Sequence, residues 1–237
     1  MLAVQVINWS QLELFTGLDA VQLTPVIASA RRHVYPAGSF LFREGEASAG
    51  YFALSDGMVR LYRANPEGRL HTLSLLRAPA AFNEVAAVDG GPNPLNALAV
   101  TDCVAFTLSH GSLRALMSSE SVVMGNALKI LAHINRDTLE RLEDMTFRTI
   151  PGRLAKLFLH QSAYGQHICE APSHLSQEDM ASILGTTREV VGRALRSLMT
   201  AGLLRKQGRY YAAADLDGLL TLAETNELPQ KLTCVKK

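Results

Sequence analysis

The spacing of apolar residues changes along the 237-residue chain and divides it into three parts. Residues 10–30 carry apolar side chains at helical intervals, which predicts short helices. Between Val34 and about Leu108, short apolar or alternating runs are separated by glycines, a pattern typical of a compact β-barrel or β-roll. From Ser112 onward the helical interval returns. The pattern predicts an α+β protein whose strands cover residues 39–42, 50–54, 58–62, 71–76 and 97–100.

A stripe of apolar and polar residues follows Ser112 at alternating intervals of four and three, which is heptad spacing. Charged residues fall outside this stripe. Such a stripe predicts a dimerisation helix over residues 112–147, in which the polar members would fix the register of the two helices. The alternative is a helix that packs against its own β-domain. The heptad stripe consists of Met124, Leu128, Leu131, Asn135, Thr138, Leu142 and Met145.

Residues 175–195 have the pattern of two short helices joined by a glycine turn. Ser176 is placed to cap the first helix and Thr187 the second, and Gly185 suits the turn because glycine adopts positive φ without strain. A helix pair with an ordinary solvated charged face is the alternative interpretation. Apolar residues at helical spacing predict the buried face: Met180, Ile183, Leu184, Val191, Ala194, Leu195 and Leu198.

The opposite face of the second helix carries residues that suit the major groove of DNA. Arginine binds guanine through two hydrogen bonds, and glutamate accepts one from the amino group of cytosine. The stop at Gly202 and the turn at Gln207-Gly208 then predict a β-hairpin wing. Lys206 and Arg209 at its tip would contact phosphates. The charged face consists of Arg188, Glu189, Gly192, Arg193 and Arg196.

Charge is distributed unevenly, although the formal net charge of the whole chain is only +1. Residues 148–214 contain nine lysines and arginines against four aspartates and glutamates, a net charge of +5. Residues 1–147 contain eleven against fourteen, a net charge of −3, and residues 215–237 contain three against four, −1. Because the positive charge is concentrated around the helix pair, double-stranded DNA is the expected partner.

Composition argues against several other classes of protein. No apolar run approaches the length of a membrane span, and the first residues lack the features of a signal peptide, so we expect a cytoplasmic protein with no membrane partner. Cys103, Cys169 and Cys234 have no paired spacing, which argues against a disulfide framework and a metal site. The sequence has no phosphate-binding glycine loop, zinc-protease motif or nucleophile elbow, and we expect no enzyme activity.

The order of these parts resembles the catabolite activator/Fnr (Crp/Fnr) superfamily of bacterial transcription regulators over nearly the whole chain. The helix-turn-helix is the strongest match. The other matching motifs are Ala37-Gly38-x-x-Leu41-Phe42-x-x-Gly45-Glu46, Leu54-x-x-Gly57-x-Val59-Arg60-Leu61-Tyr62, Glu67-Gly68-Arg69 and Phe82-Asn83-Glu84.

The resemblance implies a homodimer that has RNA polymerase as a further partner. It assigns residues 1–111 to a cyclic-nucleotide-binding-like β-roll sensor and residues 112–147 to the dimerisation helix. Residues 148–221, joined at Pro151-Gly152, would form the winged helix-turn-helix domain. Residues 222–237 would form a C-terminal tail whose role is open.

The resemblance also implies roles for individual residues of the DNA-binding domain. Arg188, Glu189 and Arg193 would contact bases in a palindrome of GTGA-like half-sites. Gln177 and Thr187 would contact backbone phosphates, and Ser176 belongs to the same DNA-binding set.

The sensor domain departs from the cyclic-AMP pattern of the family. The glutamate that would meet the ribose hydroxyl is retained as Glu84, after Asn83. The arginine and serine that would hold the cyclic phosphate are replaced by Leu95 and Asn96, and a buried phosphate without a cation is costly. Thr138 stands where a contact to adenine is expected. We therefore expect an effector pocket at these five positions, and an effector other than cyclic AMP.

Other sensing chemistries differ in how well they fit the sequence. An Fnr-type iron–sulfur cluster is not expected, because no cysteine precedes Cys103. Heme that senses NO or CO stays open, with His71 and His133 in or near the sensor region. A module whose winged helix contacts protein partners instead of DNA is a further alternative. The sequence leaves open the effector, the target genes and the choice between activation and repression.

Overall fold

A computed structural model of the chain describes residues 7–159, 168, 174–208 and 210–228. These residues form two compact units, residues 7–63 with 75–136 and residues 64–74 with 137–228. The division falls inside the predicted dimerisation helix rather than at one of its ends. Residues 64–74, which comprise the end of one strand of the β-roll, the turn after it and the first part of the next strand, belong to the second unit.

The first unit begins with short helices, as the pattern over residues 10–30 predicts. Two 3-10 turns, Trp9–Gln11 and Glu13–Phe15, precede helix α1, Ala20–Ser29. Helix α1 begins at Asp19, whose carboxylate accepts hydrogen bonds from the backbone amides of Val21 and Gln22.

Two four-stranded sheets form the β-roll, with strand orders β1-β8-β3-β6 and β2-β7-β4-β5. The five predicted strands are confirmed. The structure adds β1, which is exposed and polar, the short β6 and α2, and β8. The elements are β1 Arg31–Tyr35, β2 Phe40–Phe42, β3 Tyr51–Asp56, β4 Met58–Ala64, β5 Leu70–Arg77, β6 Ala80–Phe82, α2 Glu84–Asp89, β7 Asn96–Ala99 and β8 Cys103–Leu108.

The first unit has two hydrophobic clusters. One lies within the roll, where the rings of Phe52 and Phe82 stack with their centroids 5.1 Å apart and Phe42 lies 5.2 Å from Phe52. The other joins the N-terminal turns to the helices after the roll, and Phe15 meets Tyr51 edge to face in it. Aromatic pairs of this kind add to the free energy gained by burial of apolar area.

Two helices carry the apolar pattern that follows Ser112. Helix α3, His110–Ser119, begins at the cap Ser109, and helix α4, Ser121–Phe147, follows the extended residue Glu120. The single helix predicted over residues 112–147 is therefore interrupted once. The heptad stripe lies entirely on α4.

The second unit contains the helical C-terminal part of the chain. Pro151 and Gly152 lie in the first turn of α5 rather than in a linker, because Thr149 caps that helix. The last helix, α8, crosses the predicted boundary at residue 222. The elements are α5 Ile150–Phe158, α6 Gln177–Leu184, α7 Arg188–Thr200, β9 Leu204–Gln207, β10 Tyr210–Ala213 and α8 Leu216–Thr225.

Within the described residues, none of the helices is both long and apolar enough to cross a membrane.

Candidate nucleic-acid interface

Three capping interactions shape the helix pair α6–α7. The hydroxyl of Ser176 accepts a hydrogen bond from the amide of Asp179, and the Asp179 carboxylate accepts one from the amide of Ser176. Gly185 ends α6 in the left-handed conformation, with φ 63°. Thr187 then caps α7 by accepting from the amide of Val190. The predicted caps and turn are confirmed.

The buried face of the helix pair is also as predicted. Met180, Leu184 and Val191 are among its fully buried side chains. Support comes from α5, where the buried Arg153 donates from Nη1 to the carbonyl oxygen of Leu184 at 2.9 Å. This contact satisfies a carbonyl at the C-terminus of α6 and holds α6 against α5. The sequence pattern does not identify Arg153 as a structural residue. The sequence feature that points to it is a charged residue within a largely apolar helix.

The charged side of α7 lines a surface cleft of about 270 Å³. Arg188, Glu189 and Arg193 are exposed there, so the three residues predicted to contact bases are brought together on one surface. Gly192 forms the floor, because a Cβ atom at that position would lie 3.4 Å from Oε1 of Gln177. Arg196 completes the lining of the cleft, beside Gln177.

Electrostatics keep Glu189 ionised. Its own backbone amide and the hydroxyl of Thr187 lower the pKa of the Glu189 carboxyl, and Arg188 and Arg193 lower it further. An ionised carboxylate is only a hydrogen-bond acceptor. In this state Glu189 can accept from a cytosine amino group but cannot donate to a base.

Three members of the predicted DNA-binding set make hydrogen bonds within the protein. Ser176 and Thr187 are caps, and Nε2 of Gln177 donates to the hydroxyl of Tyr211 in β10 at 2.9 Å. This last bond joins the first helix of the pair to the wing. A direct role of these side chains in phosphate binding stays a prediction.

The predicted wing is a two-stranded hairpin. Strands β9 and β10 pair antiparallel, with Lys206 opposite Tyr211, and Gly208 in the turn has φ 62°. Lys206 is exposed, as a phosphate contact requires. Arg209 lies outside the described residues.

The start of β5 contacts α6 in the second unit. The hydroxyl of Ser182 donates to the carbonyl oxygen of Leu70 at 3.2 Å and accepts from the amide of Thr72 at 3.2 Å. Nδ1 of His71 lies 3.0 Å from the Ser182 carbonyl oxygen and must donate to it. Burial lowers the pKa of His71 and outweighs the hydrogen bond to Ser182, which raises it, and the charges of Arg141 and Arg153 lower it further. The imidazole is therefore held neutral in this contact, which we call the hairpin contact.

The predicted effector pocket contains side chains that hydrogen-bond within the roll. Asn83 is buried in the left-handed conformation, and its Nδ2 donates to the carbonyl oxygen of Gly50 and to Oδ1 of Asn93. Asn96 accepts from the amide of Glu44, and Leu95 packs against the roll cluster. These side chains hold the loops of the roll together.

Glu84 occupies an unusual electrostatic position at the start of α2. Burial raises the pKa of its carboxyl to about 7, and the negative charge of Glu13 adds to this rise. The last predicted pocket residue, Thr138, is exposed on the part of α4 that belongs to the second unit. A ligand-binding role for the five pocket residues stays a prediction.

Most side chains of the heptad stripe are exposed. Leu128 is 61% exposed and Leu142 is 60% exposed, whereas Val123 and Ala127 on another face of α4 are buried in the first unit. Leu131 alone within the stripe is half-buried. The helix thus packs against its own unit and still presents an apolar surface.

Cys103 is buried and not in a disulfide, while Cys169 and Cys234 lie outside the described residues. Within the described part of the chain, no group of three or more histidine, cysteine or acidic residues is arranged to hold a metal ion.

Comparison with known families identifies both halves of this arrangement. The model of the cyclic nucleotide-binding domain matches residues 32–120, which include all the strands of the roll except the first residue of β1. The model of the Crp-like helix-turn-helix domain matches residues 152–222, which include the charged cleft and the wing.

Known proteins are similar to this chain over most of its length. A CRP-like cAMP-activated global transcriptional regulator of Mycobacterium tuberculosis is 26% identical over 210 residues, 87% of this chain and 94% of the relative. The cyclic AMP receptor protein of Thermus thermophilus is 28% identical over 192 residues, 81% and 88% of the two chains. The structure of FixK2 from Bradyrhizobium japonicum has the same fold, with a TM-score of 0.67 at 23% identity, covering 81% of this chain and 96% of the other.

Proposed function

Because this chain belongs to the Crp/Fnr family of DNA-binding transcription regulators, we propose that it acts as a homodimer that binds a palindrome of GTGA-like half-sites. The β-roll domain, which has the family's cyclic nucleotide-binding fold, controls this binding through an effector.

The charged cleft on α7 is the observation that carries the proposal. Two of its three exposed arginines, Arg188 and Arg193, lie with the ionised Glu189 in the N-terminal half of the helix, the part of a recognition helix that contacts base edges. Arginine recognises guanine, and a carboxylate recognises cytosine, so this combination matches G·C pairs within a GTGA-like half-site. The exposed Lys206 in the wing would contact a phosphate.

The heptad stripe supports the homodimer. Leucine and methionine side chains that are about half exposed or more on one helix face are costly in water and gain free energy when a second copy covers them. Two recognition helices related by a two-fold axis then bind the two half-sites of the palindrome.

The effector of this chain is not cyclic AMP in this proposal. Leu95 and Asn96 stand where the cyclic-AMP pattern has an arginine and a serine, and the Asn83 and Asn96 side chains are already engaged in bonds within the roll. Millimolar cyclic AMP should therefore leave the melting temperature unchanged. A concentration-dependent rise in the melting temperature would contradict this part of the proposal.

The hairpin contact provides a route for control. Residues 64–74 connect β4 to β5 of the roll and belong to the same compact unit as the helix-turn-helix, to which they are bonded through Ser182. A change in β4 or β5 on effector binding would alter the hydrogen bonds at α6. The recognition helix α7 packs directly against α6 and would respond.

The experiment that tests the proposed function is selection of bound sequences from a random duplex pool by the purified protein, at several salt concentrations. Enrichment of a GTGA-type palindrome, with affinity that falls steeply as salt rises, is the expected result. A selected sequence without two-fold symmetry would overturn the homodimer on a palindrome. Failure to enrich any sequence at low salt would overturn DNA binding by the ligand-free protein and favour a winged helix that contacts proteins.

A further inference from the structure

The joint between α4 and α5 is short and is bonded to a distant part of the chain. Helix α4 ends at Phe147 and α5 begins at Ile150, so only Arg148 and Thr149 separate them. Asn226, the residue that ends α8, lies beside this joint. Asn226 and residues 147–150 of the joint all belong to the second unit.

The side-chain amide of Asn226 bonds to both sides of the joint. Its Nδ2 donates to the carbonyl oxygen of Phe147 at 3.1 Å, and its Oδ1 accepts from the amide of Thr149 at 3.0 Å. Both partners are backbone groups at helix ends, which lack intrahelical partners. An amide is needed here because one atom must donate and the other accept.

The backbone of Asn226 is adapted to this position. It adopts the left-handed conformation with φ 62°, which asparagine tolerates better than most residues. Helix α8 is fixed in turn by its buried Leu219 and Leu222 and packs against α5. The amide is therefore held at the joint by a packed helix rather than by a free chain end.

Gly152 in the first turn of α5 makes room for the same amide. A Cβ atom at residue 152 would lie 2.5 Å from Oδ1 of Asn226, which is closer than such contacts allow. Its φ is not in the left-handed region, so backbone conformation does not require glycine here. Glycine within a helix costs stability, and the space taken by Asn226 explains its presence.

We propose that Asn226 and Gly152 form a hinge clamp, through which the C-terminal helix α8 fixes the angle between α4 and the DNA-binding helices. Asn226 is a positioning residue in this proposal, which rests on the proposed function. In a dimer, the angle at each joint determines the distance between the two recognition helices, which must be about one DNA turn, ~34 Å.

A double-mutant cycle in the full-length protein tests the clamp without DNA. Gly152→Ala should lower the melting temperature in the native background because the new methyl group meets the Asn226 amide. Asn226→Gly removes that amide and keeps the left-handed conformation, so Gly152→Ala should cost much less in its presence. An equal loss from Gly152→Ala in both backgrounds would overturn the clamp. Glu224→Ala, at an exposed position two residues before Asn226, is the control background. In this background Gly152→Ala should lower the melting temperature as much as it does in the native protein.

Half-site spacing provides the readout that a purely structural role would not change. The native protein should lose about 10²-fold or more in affinity when base pairs are inserted between the half-sites, because the second half-site no longer engages. The Asn226→Gly variant should tolerate inserted base pairs better, with the same affinity for a single half-site. An unchanged spacing profile would overturn the positioning role. If the native chain binds no duplex, the proposed function fails, and the melting-temperature cycle alone decides whether the clamp exists.

Discussion

Side chains of the helix-turn-helix differ in whether they make hydrogen bonds that stabilise the helix pair. Ser176 and Thr187 are used as helix caps, and Gln177 is bonded to Tyr211. Arg188 and Arg193 extend from the other side of α7 and line the cleft. Specificity for bases should therefore depend on the second group, while loss of a cap should affect folding first.

Arg193→Ala tests the base-contacting role. The substitution should cost about 1–3 kcal/mol at one base pair and relax the preference at that position, because a bidentate contact to guanine is lost. Titrations against duplexes with each base changed in turn measure this effect. Lys206→Ala is the matched control, since loss of a phosphate contact should weaken all sequences equally and reduce the salt slope by about 1. Equal weakening of every duplex by Arg193→Ala would contradict base recognition.

Glu84 predicts an unusual pH dependence of stability. Its pKa rises from an ordinary value of 4.5 to about 7 in the folded protein, so the folded state binds this proton more tightly than the unfolded chain does. The free energy of unfolding should therefore fall as the pH rises from 4.5 through about 7. Glu84→Gln should remove about 1–3 kcal/mol of that decline.

Urea denaturation at pH 5 and pH 8 measures the effect of Glu84→Gln. The variant should gain stability relative to the native protein mainly at pH 8. Glu67→Gln changes an exposed carboxylate in the turn between β4 and β5 and is the control. It should change the free energy of unfolding by the same amount at pH 5 and pH 8. A gain by Glu84→Gln that is independent of pH would show that Glu84 is not a proton-binding group in this range.

Helix α4 has apolar side chains on two faces, one buried and one exposed. Val123, Ala127 and Ile130 pack into the N-terminal hydrophobic cluster, and the heptad stripe occupies another side of the same helix. The two interpretations of the pattern, a dimer helix and a helix packed on its own unit, are therefore compatible. Heptad spacing alone could not show this, because both faces have similar intervals.

Leu128→Asp tests the stripe. A carboxylate at this 61% exposed position should leave the fold of a single chain intact but destabilise the apolar dimer interface. Sedimentation equilibrium should show a shift from dimer to monomer, with a parallel loss of affinity for the palindrome. Lys129→Asp, one residue further and outside the stripe, is the control for added negative charge. A Leu128→Asp protein that sediments like the native chain would place the interface elsewhere.

The arrangement of the whole chain gives the two compact units shared elements. Strands β4 and β5 and helix α4 each begin in one unit and end in the other. The first residues of β5, Leu70, His71 and Thr72, make the hairpin contact with α6. The β4–β5 hairpin and α4 are therefore the segments in which the chain of one unit continues into the other.

Ser182→Ala removes the side-chain part of the hairpin contact. The hydroxyl of the buried Thr72 lies 2.8 Å from Oγ of Ser182, so the substitution should cost about 1–3 kcal/mol from a buried polar group that loses its partner. Hydrogen exchange should increase at the amide of Thr72. Ser118→Ala is the control, since that hydroxyl donates only to Arg114 within α3. Unchanged protection of Thr72 would show that the contact does not hold the hairpin.

The sequence by itself determined the elements whose causes are local. Helix caps, the turn at Gly185, the buried faces of α6 and α7 and the charge of the recognition face follow from the intervals and types of neighbouring residues. The order of the parts was sufficient to indicate the family, which the two domain matches confirm.

Only the tertiary structure decided the contacts between residues far apart in the chain. The bonds of Asn226 to Phe147 and Thr149, of Ser182 to the hairpin and of Asn83 to Gly50 join residues 33 to 112 positions apart. A single asparagine or serine has no periodic pattern, and its partner is fixed by packing of whole elements. Local sequence therefore determines where helices and strands form, while the polar contacts that hold them in place depend on the complete fold.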